Sequence, residues 1–177
     1  MTADMVRQIE PLVPALRRYA RALLRDRSAA DDLVQDCLER AIGRWHQRRE
    51  GGDARAWLFT ILHNLAMTRL RRASERPSHL ALDDTAEASL SVAASQEDRM
   101  RYRDLLAALQ QLPDEQRTVL LLVTVEELSY ADAAKVLDIP MGTVMSRLSR
   151  ARERLLRLMS AEPPAAGSAR PYLRSVK

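Results

Sequence analysis

The sequence feature that most constrains the fold is a helical repeat of apolar residues, which occupies two blocks of the chain and stops between them. In the first block, apolar residues recur at steps of three and four over 8–25, 28–45 and 53–72. The same repeat returns in the second block, from about residue 97 to residue 160. The alternation of apolar and polar residues that is typical of a β-strand never extends beyond a few residues. The repeat therefore predicts an all-α protein made of two small helical domains.

The stretch between the two blocks has a different composition. Residues 74–96 are rich in Ser, Ala and acidic side chains, contain Pro77 and have no sustained apolar stripe. Such a segment buries too little apolar surface to fold, so we expect a flexible acidic linker. Residues 161–177 predict a disordered basic tail. The predicted organisation is thus a domain at 1–73, the linker, a domain at 97–160 and the tail.

The composition excludes several kinds of site. A single cysteine, Cys37, cannot form an internal disulfide bond, and it excludes a zinc site built on cysteines. The three histidines lie 17 and 16 residues apart, which is not the spacing of a helical pair of metal ligands. The five glycines form no glycine-rich nucleotide-binding loop. We therefore expect no metal and no cofactor.

The sequence also predicts neither an enzyme nor a membrane protein. Carboxylates such as Asp31 and Asp32 are adjacent and so point to different faces of a helix, and no nucleophile–base arrangement is recognisable. We expect no catalytic residues. The longest strongly apolar run, 119–125, is far shorter than the roughly 20 residues that span a bilayer. The N-terminus lacks a secretion signal, so we expect a cytoplasmic protein without membrane insertion.

The sharpest local signal lies in residues 129–157. Ser129 and Asp132 predict a capped helix, Asp138 lies at a sharp turn, and a longer helix follows near Gly142. This succession is typical of a helix-turn-helix. Because arginine can bond guanine edges and Ser or Thr can reach bases or phosphates, the outward face of the second helix predicts DNA binding. A solvated, Arg-rich face is the alternative. The candidate DNA-binding residues are Thr143, Ser146, Arg147, Ser149, Arg150 and Arg154.

Ser28, with Asp31 three residues later, predicts the cap of a helix at 28–45, and this helix carries an acidic face opposite its apolar stripe. DNA would be repelled by this face, so it predicts a protein partner with basic groups, or else an ordinary solvated surface. The residues of this face are Asp32, Gln35, Asp36 and Glu39. Cys37 and Ile42 lie on the apolar stripe, which predicts that the cysteine is a small core residue.

The next helix and the loop before it are basic and contain aromatic residues, a combination that favours binding of single-stranded nucleic acid. Trp45 lies in the loop, whereas Trp57 falls on the apolar stripe and is predicted to be a core residue. His63, Asn64 and Met67 are predicted on the polar side. The side-chain amide of Asn64 is suited to reading the edge of an unpaired base.

Three strings carry a resemblance to a known family: YARALLRDRSAADDLVQDCLERA, ARAWLFTILHNLAMTRLRR and LPDEQRTVLLLVTVEELSYADAAKVLDIPMGTVMSRLSRARERL. In this order and spacing they resemble bacterial RNA polymerase sigma factors of the extracytoplasmic-function (ECF) group, in the sigma-70 superfamily. The resemblance covers most of residues 12–158. It implies that the first domain is sigma region 2 and the second is sigma region 4.

The resemblance implies three partners: core RNA polymerase, promoter DNA and an anti-sigma factor. The acidic face would bind core polymerase, and the helix from Gly142 would recognise the −35 element. A monomer is expected for the free protein. The residues implied in recognition and melting of the −10 element are Trp45, Arg48, Arg49, Asn64, Met67, Arg71 and Arg72.

Three positions depart from the family pattern and leave the exact promoter sequence open. Met145 stands where Lys or Arg is usual, Ser149 is small, and Arg48 stands where an aromatic residue that stacks on a base is expected.

Two rival functions are the alternatives. A conventional helix-turn-helix regulator would need a dimer seam, and none is visible. A sigma mimic that binds an anti-sigma factor would not need the intact Arg face. Whether the free protein is compact or extended stays open.

Overall fold

The computed structural model describes residues 2–24, 26–48, 52–75 and 96–160, and every regular element within these ranges is helical. The predicted all-α class is confirmed. Short 3-10 turns cover Glu10–Leu12 and Trp45–Gln47, and a π-helical turn covers Leu121–Val125. The α-helices are α1 Thr2–Ile9, α2 Val13–Leu24, α3 Arg27–Gly43, α4 Ala54–Glu75, α5 Gln96–Gln110, α6 Asp114–Leu120, α7 Tyr130–Leu137 and α8 Met141–Ser160.

The single helix predicted over 8–25 is wrong, because the chain forms α1 and α2 with a 3-10 turn between them. Pro11 lies in that turn and Pro14 lies in the first turn of α2. Proline has no N–H to continue a helical ladder and is accepted in the first turn of a helix, so the two prolines divide the segment.

Helix α3 begins one residue earlier than predicted and has a different cap. Asp26 has an extended backbone, and its Oδ1 accepts a hydrogen bond of 3.0 Å from the N–H of Ala29. Ser28 therefore lies inside the first turn, and the predicted cap at Ser28 is wrong. The position of Ile42 on the apolar stripe is also wrong. Its side chain is 53% exposed, because one step beyond the buried Ala41 turns it about 100° away from the core.

Helices α2, α3 and α4 pack against one another and form the core of the first helical group. Leu16, Leu33 and Leu62 have no exposed surface. The ring edge of Tyr19 meets Phe59 at a centroid distance of 5.5 Å, an arrangement that aromatic pairs prefer. The predicted core role of Cys37 is confirmed: it is fully buried, and its Sγ lies 3.6 Å from the Leu58 carbonyl oxygen.

Helix α8 packs on α5, α6 and α7 and organises the second helical group. Val144, Leu148 and Ala151 form its buried stripe, as predicted. Ala133 on α7 is fully buried, and its small side chain allows the two helices to approach closely.

The two helical groups also pack on each other. Helix α7 lies against α4, and α2 contacts both α5 and α6. Buried apolar residues form one continuous cluster through both groups. The sequence left a compact or an extended arrangement open, and the structure shows the compact one. The predicted linker and tail lie outside the described residues, except for residues at the ends of 74–96.

Candidate nucleic-acid interface

The local geometry of the predicted helix-turn-helix is confirmed. The Ser129 hydroxyl accepts a hydrogen bond of 3.0 Å from the N–H of Asp132 and so caps α7. At the end of α7, Asp138 adopts a left-handed backbone with φ of 52°, which lets the chain turn sharply before α8. The turn and the cap together orient α8 relative to α7.

The outward face of α8 is the part of the structure best suited to reach a DNA groove. The buried stripe of α8 faces the core, and most positions on the opposite side of the helix are exposed. Four of the predicted residues are exposed there: Ser146, Ser149, Arg150 and Arg154. These side chains place hydroxyl and guanidinium groups on one surface, where they can bond base edges and phosphates.

Thr143 and Arg147 are half-buried rather than exposed. The Arg147 side chain is 26% exposed, and its Nη2 lies 2.7 Å from Glu115 Oε2 on α6. Arg147 therefore lies at the flank of the outward face of α8, where it pairs with a carboxylate. Met145 is 52% exposed on the other side of α8, beside Tyr130 and Arg152.

The acidic face of α3 is exposed, as predicted. Asp32, Gln35, Asp36 and Glu39 all have exposed side chains. Gln35 Nε2 donates to Glu39 Oε1 at 3.0 Å, and Asp36 accepts a hydrogen bond from Arg69 of α4. Next to this face is an open groove of about 600 Å³ between α3 and α4, lined by Asp36, Glu39, Arg40, Gly43, Arg44 and Leu65. A surface of this kind can bind a basic protein partner.

The residues predicted to contact melted DNA differ in how far their side chains are exposed to solvent. Asn64, Arg71 and Arg72 are exposed along α4. The Trp45 ring is half-buried, because it meets the Trp57 ring edge-on at 5.8 Å, and the Arg48 guanidinium lies 4.6 Å from the Trp45 ring centroid.

Two of the remaining residues pack partly against the core. Met67 is half-buried against the core, and Trp57 is half-buried against the same core rather than fully enclosed. Arg49 lies outside the described residues. Asn64 and the two arginines about two turns further along α4 are thus the members of this set whose side chains are exposed.

The prediction that His63 lies on the polar side is wrong. His63 is buried, and its Nδ1 lies 3.1 Å from the Tyr19 hydroxyl oxygen. Burial lowers the pKa of His63 to about 4, so the imidazole is neutral at pH 7. The sequence held a signal for this position: Phe59, His63 and Ala66 recur at the helical period, and both neighbours are buried.

A cluster of charged residues that the sequence patterns did not predict lies between the two helical groups. The fully buried carboxylate of Glu126 bonds Arg18 from α2, at 2.7 and 2.8 Å, and lies near Arg55 from α4. This hydrogen bond raises the pKa of Arg18. Arg18 and Glu126 are 108 residues apart in the chain, so no local pattern could have paired them.

Among the described residues, no group of three or more His, Cys, Asp or Glu side chains is arranged to hold a metal ion. Within those same ranges, none of the helices is both long and apolar enough to cross a membrane.

Two family models match the chain: Sigma2 domain of PhyR over residues 9–63, and Sigma-70, region 4 over residues 102–155. The ECF RNA polymerase sigma factor EcfG of Rhodopseudomonas palustris is 35% identical over 159 residues, which are 90% of this chain and 87% of that protein. The ECF RNA polymerase sigma factor SigM of Mycobacterium tuberculosis is 34% identical over 150 residues, 81% of this chain and 71% of that protein.

Solved structures show the same likeness. The sigma factor RpoE from Bartonella quintana, in a complex with the anti-sigma factor NepR, has a TM-score of 0.74 and 33% identity, covering 90% of this chain and 99% of that chain. CnrH, in a complex with the cytosolic domain of CnrY, has a TM-score of 0.70 at 24% identity and covers 92% of each chain, which supports the fold alone.

Proposed function

The chain belongs to the family of ECF RNA polymerase sigma factors, and from this premise we propose how its own residues direct promoter-specific initiation of transcription. The first helical group, within 1–73, acts as region 2, and the second group, within 97–160, acts as region 4. The protein binds core RNA polymerase in the cytoplasm and forms and breaks no covalent bond. The free energy of initiation comes from phosphate neutralisation, groove contacts and capture of unstacked bases.

The observation that carries this proposal is the outward face of α8. Its exposed Ser146, Ser149 and Arg150 lie on a helix that a capped and sharply turned partner helix holds in place. We assign this face, with Thr143, Arg147 and Arg154 at its edges, to the major groove of the −35 element. Arginine bidentate to guanine is the commonest base-specific contact, and the small serines let the backbone of α8 approach the base edges.

The basic side of α4 is assigned to the −10 element. Unstacking a base costs a few kcal/mol, and a pocket that binds the extruded base offsets this cost. Asn64 offers both a donor and an acceptor to such a base, while Arg71 and Arg72 lie close enough along α4 to attract the strand backbone. Trp45, Arg48, Arg49 and Met67 complete this assignment.

The acidic face of α3 is assigned to core polymerase. Its exposed carboxylates repel DNA and complement a basic protein surface, and the adjacent open groove offers room for a partner side chain. Asp32, Gln35, Asp36 and Glu39 would form this contact. The relative RpoE was solved with an anti-sigma factor, and we extend this to the present chain: an anti-sigma factor holds it inactive, and the protein is a monomer when neither partner is bound.

The direct test is run-off transcription with purified core polymerase and the Arg150→Ala variant. A lost base contact costs about 1–3 kcal/mol, so we expect transcription from a −35-dependent promoter to fall roughly tenfold or more. Arg157→Ala removes an exposed arginine near the end of α8 and serves as the matched control, with little loss expected. Equal activity of Arg150→Ala and the parent protein would overturn the assignment of α8.

A second candidate function has one observation in its favour. The family model that matches residues 9–63 is named for PhyR, and an anti-anti-sigma factor PhyR is among the similar folds, at a TM-score of 0.56 and 17% identity. A protein of that kind would bind an anti-sigma factor without reading DNA. It would not need the exposed Arg and Ser residues of α8. Failure to stimulate core polymerase, together with tight binding of an anti-sigma factor, would favour this candidate.

A further inference from the structure

The contact between the two helical groups contains a carboxylate that has no exposed surface. Glu126 follows the π-helical turn, and its side chain is fully buried. Arg18 of α2 donates from Nε to Oε1 at 2.8 Å and from Nη2 to Oε2 at 2.7 Å. Arg55 of α4 lies 3.8 Å from the same Oε2 and also donates to the backbone carbonyl of Glu126. Both cations that pair with this carboxylate therefore come from the other helical group.

This arrangement stabilises the closed form, in which the two helical groups pack on each other, but still allows the groups to separate. A buried carboxylate is costly unless cations and hydrogen bonds compensate it, so loss of either arginine leaves an unpaired buried charge. The Arg18 and Arg55 side chains remain 53% and 36% exposed, and all three charges would be hydrated once the groups separate. Pairing with the two arginines offsets the cost of burying the Glu126 carboxylate, so the closed form is favoured only while this pairing is intact. The contact is therefore specific but separable.

The other contacts between the groups are also partly polar. Gln110 Nε2 on α5 donates to the Ala22 carbonyl oxygen on α2 at 3.0 Å. Contacts of mixed polar and apolar character between the parts of one chain resemble transient protein–protein interfaces, which open and close reversibly.

In the closed arrangement, the two helical groups lie closer together than the two DNA elements that the protein is proposed to bind. Helix α7 packs between α4 and α8. Since the axes of packed helices lie about 10 Å apart, the axes of α4 and α8 are separated by at most about 20 Å. The −35 and −10 elements lie about 25 base pairs apart, or about 85 Å along a straight duplex. The chain between the end of α4 at Glu75 and the start of α5 at Gln96 can reach at most about 70 Å. The helical groups themselves span the remaining distance, since α4 alone has 22 residues and is about 33 Å long. The groups can therefore separate far enough to bind both elements, and simultaneous binding requires that they do.

We propose that Glu126, Arg18 and Arg55 form a latch that holds the two helical groups together in the free protein, and that the latch opens when the groups bind the −35 and −10 elements on polymerase. The need for opening rests on the proposed function. The latch in the free protein does not, because it follows from the contacts across the interface.

The test measures the distance between the groups in the full chain by double electron–electron resonance. Spin labels are attached through Ser28→Cys on α3 and Ser160→Cys on α8, both exposed, while the buried Cys37 stays unlabelled. Glu126→Gln keeps the shape of the side chain and removes its charge. Because Glu126→Gln removes the buried charge and leaves the half-exposed arginines hydrated, we expect the ratio of short to long distances to fall, but by less than in a variant that leaves the carboxylate unpaired. Glu97→Gln, which makes the same change in an exposed pair within α5, is the matched control and should leave the distances unchanged.

Arg18→Gln removes the bidentate partner and leaves the buried carboxylate incompletely paired, so it should lower the ratio of short to long distances roughly tenfold or more. The test therefore does not depend on whether Glu126→Gln folds. Because the two residues share one interaction, the double variant should shift the ratio by much less than the product of the single shifts. Unchanged short distances in both variants, or an equal shift in Glu97→Gln, would overturn the latch.

Core polymerase and promoter DNA test the opening step separately. When they are added to the labelled parent chain, the long distances should become dominant. Short distances that persist in a transcribing complex would overturn the opening step and leave the proposed function intact. A chain that opens in Glu126→Gln but never stimulates polymerase would overturn the proposed function and leave the latch intact.

Discussion

Tyr19 and His63 form a hydrogen bond inside the first helical group, with 3.1 Å between the tyrosine oxygen and the imidazole Nδ1. Both side chains are buried. Burial lowers the pKa of His63 to about 4 and raises the pKa of Tyr19. The pair is therefore neutral over the physiological range, and it couples α2 to α4 at a position where charge would be costly.

This pair predicts how the stability of the protein depends on pH. The unfolded chain binds a proton at His63 below a pKa of about 6.5, whereas the folded chain binds it below about 4. Stability from neutral His63 is therefore complete above pH 6.5 and is lost as the pH falls toward 4, by about 3 kcal/mol in total. Urea unfolding at pH 7 and pH 4.5 measures this difference in the free energy of unfolding.

His63→Gln removes the titrating group and keeps a polar partner for Tyr19, so the pH dependence between 6.5 and 4 should flatten. His46→Gln alters an exposed histidine and is the matched control, which should retain the full dependence. A parent protein and a His63→Gln variant with the same pH dependence would contradict the buried position of His63.

Cys37 is predicted to be chemically inert in the folded protein. It has no exposed surface, and burial raises the pKa of its thiol to about 12. Since the thiolate is the reactive form, a thiol reagent at pH 8 should modify the folded chain only as fast as the chain opens. Labelling with and without urea measures the two rates. Rapid modification of the folded chain would show that α3 does not cover Cys37.

The cap of α3 predicts a contrast between two neighbouring residues. Asp26→Ala removes the acceptor for the Ala29 N–H and should cost about 1 kcal/mol of stability. Ser28→Ala changes an exposed residue in the first helical turn and should stay within about 0.5 kcal/mol of the parent. Chemical denaturation of the two variants compares these values. The reverse order would restore Ser28 as the cap.

Asn64→Ala tests the assignment of α4 to melted DNA. If Asn64 holds an extruded base, the variant should lose promoter opening, measured by permanganate reactivity of unpaired thymines, roughly tenfold or more. Binding to core polymerase should be unchanged, because Asn64 is not on the acidic face of α3. The control Gln111→Ala alters an exposed amide in the second helical group and should open the promoter normally.

Local patterns predicted the parts of the fold that depend on neighbours in the chain. The cap at Ser129, the sharp turn at Asp138 and the buried stripe of α8 each follow from a few adjacent residues, and the structure confirms them. The prediction for His63 is wrong because position in the helical period decides its burial rather than residue type: Phe59 and Ala66 mark the same buried side of α4.

The charged contact between the helical groups was beyond prediction for a physical reason. Glu126 follows an apolar run and pairs with arginines far away in the chain, so its partners depend on how two separately patterned groups pack. Likewise, no sequence pattern showed that Glu115 pairs with Arg147 at the edge of the DNA-facing surface.

The central claim is that this chain directs core RNA polymerase to promoters through two helical groups that read different DNA elements. In vitro transcription with core polymerase on a library of genomic fragments tests it most directly. We expect transcripts that start downstream of one shared pair of motifs at fixed spacing, and their loss when the acidic face is neutralised by Asp32→Asn and Glu39→Gln. A chain that neither associates with core polymerase nor yields such transcripts, even after removal of every bound inhibitor, would contradict the claim.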